Sequence, residues 1–144
     1  MRVLIASDHA GYELKQLVAE YTGNRGHEVV DLGPASGEAV DYPDFAHELA
    51  ARVGRGEAER GILVCGTGIG MAMAANRHTG VRAALCHDAF TAEAARRHND
   101  ANVLCLGGRV TGSGVALQIV DVFLAAPFDG GRHERRVHKI DLNS

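Results

Sequence analysis

Four short runs of Val, Ile, Leu and Ala without polar alternation constrain this chain more than any other feature. They are RVLIAS (Arg2 to Ser7), GILVC (Gly61 to Cys65), VRAALC (Val81 to Cys86) and NVLCLG (Asn102 to Gly107), with HEVVDLG (His27 to Gly33) as a weaker fifth. A strand that is apolar on both faces has to be covered on both, as in a parallel sheet sandwiched between helices. Between the runs, YELKQLVAEYTG, YPDFAHELAARVG, AFTAEAARRHN and SGVALQIVDVFLA repeat apolar residues at three- and four-residue spacing, the period of a helix with one buried face. Gly23 and Gly54 suit the C-terminal caps of the first two. Strand and helix alternate throughout. The expected fold is therefore a doubly wound, Rossmann-like α/β three-layer sandwich with an open parallel sheet of about five strands. GGRHERRVHKIDL predicts a short basic C-terminal helix over about 132–141. At 144 residues the chain, 1–144, fits a single domain.

Charge and composition then exclude several classes. A net charge of −3 offers no global basic field for nucleic acid or a membrane surface. No run of about 18 apolar residues exists to span a bilayer. The start, MRVLIASDHAG, loses its apolar character at Asp8 and His9, too soon for a secretory leader. Three cysteines, none in a CxxC pair, argue against a disulfide framework and a Cys-rich zinc site. A cytoplasmic protein with no nucleic-acid or membrane partner is expected.

In open parallel sheets the ligand lies at the carboxyl ends of the strands. Asp8 and His9 follow the first run, Cys65 and CGTGIG the third, Cys86 and His87 the fourth, and Gly108 and Arg109 the fifth. His98 and Asn99, which close the helix before the last strand, are expected on the same edge. Simple chain order puts Arg109 at the far side of the sheet from Asp8 and Cys65, and the break PFDGG (Pro127 to Gly131) could carry the terminal helix away from its own domain. Glycines between a strand and a helix turn backbone N–H groups toward a ligand without Cβ obstruction, and the helix dipole adds positive potential. That arrangement cradles an anion, and a cysteine at its mouth has its thiolate favoured. A base beside an oxyanion cradle suits proton abstraction next to a carbonyl. The loop alone is equally compatible with a tight turn and a buried cysteine. It is not a dinucleotide or ATP site: GTGIGM has its third glycine misplaced, no acid ends the next strand, and the Walker lysine is missing.

Taken together, SDHAGYELK, DYPDFA, GILVCGTGIGMAMAANR, VRAALCHD, RRHNDANVLCLGGR and FDGGRHERRV are similar to the type B ribose-5-phosphate isomerases. That sugar-phosphate isomerase family also contains the galactose-6-phosphate isomerase subunits. The resemblance spans nearly the whole chain and implies interconversion of ribose 5-phosphate and ribulose 5-phosphate with no metal and no organic cofactor. It implies Cys65 as the base at C2, Gly66, Thr67, Gly68, Ile69 and Gly70 as the anion hole for a cis-enediolate, and the Thr67 hydroxyl as a proton relay. By the same resemblance His98 opens the furanose ring, Asn99 and Asp8 hold the sugar, and His9 faces sugar or phosphate. Arg109, Arg132 and Arg136 would receive the phosphate. A branch of the family places a glutamate after the glycine loop; here Met71 stands there, so the cysteine-type mechanism is implied. The family also implies a homodimer with composite sites, or a tetramer of two such dimers, with the C-terminal helix at the interface.

Simpler roles compete for several of these positions. Arg132 and Arg136 lie four apart and share a helix face, which suits a phosphate clamp or a solvated surface; Arg135 and Lys139 suit the surface alone. Cys105 reads as core packing, and Cys86 as structural. Tyr42 touches the sugar or merely packs where Pro43 starts its helix. Two other functions use the same residues: isomerisation of a hexose 6-phosphate such as allose or galactose 6-phosphate, and non-catalytic binding of a sugar phosphate. Binding alone needs neither Cys65 nor His98, and a single chain carrying base, ring opener and arginines favours the pentose.

Overall fold

The computed structural model describes residues 1–142. Five parallel strands form one sheet: β1 (Arg2–Ser7), β2 (Glu28–Asp31), β3 (Arg60–Cys65), β4 (Ala83–Leu85) and β5 (Val103–Gly107), in the order β2-β1-β3-β5-β4. Every neighbouring pair is parallel, with Leu4 opposite Gly61 and Cys65 opposite Gly107. The helices are α1 (Tyr12–Asn24), α2 (Tyr42–Gly54), α3 (Ile69–Ala75), α4 (Ala89–Arg97), α5 (Ser113–Ala125) and α6 (Arg132–His138).

Apolar residues alternate between two cores because successive strand side chains point to opposite faces. Val3, Ile5, Ile62, Val64, Leu104 and Leu106 meet one face with Val18 of α1, Ala92 of α4 and Phe123 of α5. Leu4, Ala6, Leu63, Cys65, Val103 and Cys105 meet the other with Leu49 of α2 and Met71 of α3. This two-sided burial is the reason the strand sequences are continuously apolar. The outermost strands are the exceptions: β2 is half exposed, and β4 pairs over only three residues, leaving Val81, Arg82 and Cys86 outside it.

The expected caps are displaced. Helices α1 and α2 run past Gly23 and through Gly54, and the left-handed residues that stop them are Gly26 (φ 90°) and Gly56 (φ 81°). Gly54 answers to crowding instead, since a Cβ there would lie 2.8 Å from the Thr79 carbonyl oxygen. The C-terminal helix ends at His138, earlier than expected. No helix among the described residues is long and apolar enough to cross a membrane.

One buried cation ties the layers together. The Lys15 side chain is 1% exposed, and its Nζ donates to both carboxylate oxygens of Asp31 (2.9 and 3.0 Å) and to the Pro34 carbonyl (2.8 Å). Asp31 also accepts from the Gly33 amide at 2.8 Å. The pair pins the segment after β2 to α1, and that segment leads to His9 and Tyr42. Asp31→Ala strands the buried ammonium and is expected to lower stability by about 1.5–3 kcal/mol, the size of a hydrogen bond to a charged group. Urea unfolding checks this, and an unchanged midpoint would mean Lys15 finds other partners.

Candidate active site

At the carboxyl edge of the sheet, β1 and β3 are neighbours from which the chain leaves toward opposite faces, so a crevice opens between their ends. Asp8 is buried there and accepts from the Gly11 amide at 2.9 Å, shaping the entry into α1. Gly11 permits this close approach: a Cβ would sit 2.4 Å from the Val64 carbonyl oxygen. His9 is exposed, and its Nδ1 accepts from the Val40 amide at 3.3 Å, which in the neutral ring leaves the proton on Nε2 as a donor.

Cys65 ends β3 and is 5% exposed. The Gly68 amide donates to its Sγ at 3.1 Å, a bond that orients the sulfur. Gly68 makes this turn in a left-handed conformation (φ 81°), and the Ile69 amide donates to Thr67 Oγ1 at 3.2 Å. The amides of Gly68 and Ile69 thus hold the shape of the loop. Thr67 accepts with its oxygen, so its hydroxyl proton remains to be donated. The Tyr42 ring, 40% exposed, lies over Gly70, where a Cβ would fall 2.5 Å from Cε2. Met71 is fully buried in the core.

Arg109 corrects a sequence expectation. Chain order puts it at the far side of the sheet from Asp8 and Cys65, but β5 pairs directly with β3. Gly108 donates to the Cys65 carbonyl at 2.8 Å and Arg109 to that of Gly66 at 2.9 Å. The arginine side chain consequently crosses the loop, 3.6 Å from the position a Gly66 Cβ would take.

His98 and Asn99 require the opposite correction. Helix α4 descends from the carboxyl end of β4, so its last residues lie at the amino edge, near Asn102, whose carbonyl accepts from Gly61 at the start of β3. The six residues of β3, at about 3.3 Å each, separate the two edges by roughly 16 Å. His98 and Cys65 of one chain cannot touch the same small sugar. The PFDGG break does not carry α6 away from its own chain either. The Asp129 amide donates to the Arg97 carbonyl (3.0 Å), Arg97 Nη1 donates to Asp129 Oδ1 (3.0 Å), and the His133 ring stacks on His98 with centroids 4.4 Å apart. Arg132 and Arg136 are exposed on this helix. Each chain thus carries two clusters of candidate residues: Asp8, His9, Tyr42, Cys65, the glycine loop and Arg109 at one edge, and His98, Asn99, Arg132 and Arg136 at the other.

His133 was missed by sequence reasoning, although it stands beside Arg132 in the GGRHERR motif. Partial desolvation holds its pKa below the usual imidazole value, aided by the charge environment of His98 and Arg132. The other two thiols suit structural roles. Burial pushes the Cys86 pKa up to about 11 and that of Cys105 higher still.

Fold and site together define an α/β protein with a thiol beside a glycine loop, an arginine across that loop, and a second cluster at the far edge. The ribose/galactose isomerase family matches residues 3–140, and the chain belongs to that family. It is 44% identical over 139 residues to ribose-5-phosphate isomerase B of Escherichia coli, covering 96% of this chain and 93% of that one. The solved ribose-5-phosphate isomerase B of Clostridium thermocellum superposes with a TM-score of 0.96 at 51% identity, covering 97% of this chain and 95% of the other. That of Mycoplasma genitalium, solved with bound ribulose-5-phosphate, superposes at 0.93 with 48% identity, over 96% and 93%.

Proposed function

We propose that this chain is a cytoplasmic aldose–ketose isomerase, one domain per chain, that interconverts D-ribose 5-phosphate and D-ribulose 5-phosphate. Cys65 removes the C2 proton as a thiolate, the loop over Gly66 to Gly70 stabilises the cis-enediolate, and the Thr67 hydroxyl passes a proton between O1 and O2. His98 opens the furanose ring, with Asn99, Asp8 and Tyr42 holding sugar hydroxyls. His9 donates from Nε2, and Arg109, Arg132 and Arg136 neutralise the phosphate, for which converging guanidinium groups are well matched. The chemistry moves protons within one molecule and balances without an electron acceptor.

The observation that carries this reading is the placement of Cys65 and His98 at opposite edges of one sheet. A working site then needs the amino-edge cluster of one chain against the carboxyl-edge crevice of another. A two-fold homodimer supplies two such sites at once, and two dimers can pair into a tetramer. The relative with bound ribulose-5-phosphate supports a pentose phosphate as substrate.

Initial rates of the purified enzyme on ribose 5-phosphate, allose 6-phosphate and galactose 6-phosphate test the assignment. The pentose is expected to give a kcat/KM at least about tenfold above either hexose, the low end of what one extra carbon costs in a fitted pocket. A higher value for a hexose would make this a hexose-phosphate isomerase, and no turnover of any sugar would leave a binding protein.

A further inference from the structure

We propose that His98, Asp129 and His133 form a binding site for a borderline-soft divalent cation, zinc being the best match. One ligand atom from each, two imidazole nitrogens and a carboxylate oxygen, lies within 4.8 Å of the other two. A tetrahedral zinc ion bound at about 2.0–2.2 Å holds neighbouring ligand atoms about 3.4 Å apart, so atoms separated by as much as 4.8 Å need to draw in by roughly 1.4 Å. They are surface or half-buried side chains, and rotamer adjustment covers that distance. The fourth position remains open to water.

The supporting frame is already assembled. The Asp129 amide is bonded to the Arg97 carbonyl, and Arg97 Nη1 holds Oδ1 at 3.0 Å, which leaves Oδ2 for a metal. A ligating carboxylate steadied in this way is the usual outer arrangement of metal sites. The ring centroids of His98 and His133 lie 4.4 Å apart at an interplanar angle of 12°, so joint ligation requires one ring to tilt until the in-plane lone pairs of both meet at the ion. Opposing the ion, Arg132 and Arg136 add positive charge near His133. Two imidazoles select zinc, copper, nickel or cobalt over magnesium and calcium, which prefer all-oxygen ligation.

Metal binding stands independently of the proposed function. Its consequence does rest on that reading: an ion on His98 removes the ring opener, so occupancy inhibits turnover of the cyclic aldose.

The chelator-stripped wild-type protein is titrated with zinc chloride by calorimetry and with cobalt(II) by visible absorption, alongside His98→Asn, Asp129→Asn, His133→Asn and His47→Asn. The last is the control for the other close imidazole pair, His47 and His78, whose ring nitrogens are 2.8 Å apart. One zinc per chain is expected, with affinity roughly tenfold or more weaker in each of the first three variants and unchanged in His47→Asn. The cobalt complex is expected to show d–d bands without a near-ultraviolet thiolate band, which excludes Cys65 as a ligand. Melting of the metal-free variants verifies that they fold; should one fail, the remaining two decide. Absence of stoichiometric zinc binding, or binding that survives all three substitutions, overturns the site. Zinc that binds as described without slowing turnover would leave the site intact and count against His98 as ring opener.

Discussion

Replacing Cys65 by alanine is expected to lower kcat by roughly two to four orders of magnitude, the usual contribution of a general base, with little change in KM. The sulfur sits at the mouth of the glycine loop, held by the Gly68 amide, and the alternative position after the loop is occupied by Met71, which accepts no proton. No neighbouring thiol can take over. Cys105 is fully buried in the same core, and Cys86 is held protonated well above neutral pH. Cys65→Ser should be nearly as poor, because a hydroxyl ionises far less readily than a thiol. Cys86→Ala should retain activity, which separates loss of the base from loss of a packed sulfur. Steady-state kinetics on ribose 5-phosphate, with a melting curve to verify folding, are the measurements. More than a tenth of wild-type kcat in Cys65→Ala would overturn the assignment.

Mixing two dead proteins should restore activity. Cys65→Ala lacks the carboxyl-edge base, and Arg136→Ala or His98→Asn lacks a group at the amino edge. If sites form between chains, a mixed dimer contains one site with both lesions and one with neither. Equal mixing after subunit exchange makes half the dimers mixed, so activity should recover to about a quarter of wild type. Within one chain the two edges are roughly 16 Å apart, so no internal rearrangement short of unfolding can substitute for the second copy. Exchange is verified independently by mass-tagged chains. Full exchange without recovery would place base and ring opener on one chain, and the shared-site proposal would fail.

Much of the molecule was legible from its residues. The uninterrupted apolar runs located β1, β3 and β5 because a strand covered on both faces tolerates no polar alternation, whereas the outermost β2 and β4 showed as a weaker run and an overlong one. The three- and four-residue spacing located α1, α2, α4 and α5. Boundaries were less legible: Gly26 and Gly56 stop α1 and α2, whereas Gly23 lies inside α1 and Gly54 is the last residue of α2, since a left-handed turn two or three residues later serves equally well. The thiol and glycine loop were visible as a unit because all their residues are contiguous, and so was their place at the carboxyl end of a strand.

The two errors about the site share one cause. Arg109 and His98 were each placed by chain order, and chain order does not say which strands pair or at which edge a helix ends. The insertion of β5 between β3 and β4 brings Arg109 onto the Cys65 loop. The direction of α4, which must return to start another parallel strand, carries His98 to the opposite edge. Sequence alone determined what is local: apolar period, turn chemistry, and the reactive groups available. Tertiary structure alone decided the strand order, the meeting of Arg109 with Gly66, the stacking of His98 on His133, and the placement of Cys65 and His98 at opposite edges of the sheet. The physical reason is range. Local preferences act over a few residues, while strand pairing and helix docking are settled by burying apolar surface between segments tens of residues apart.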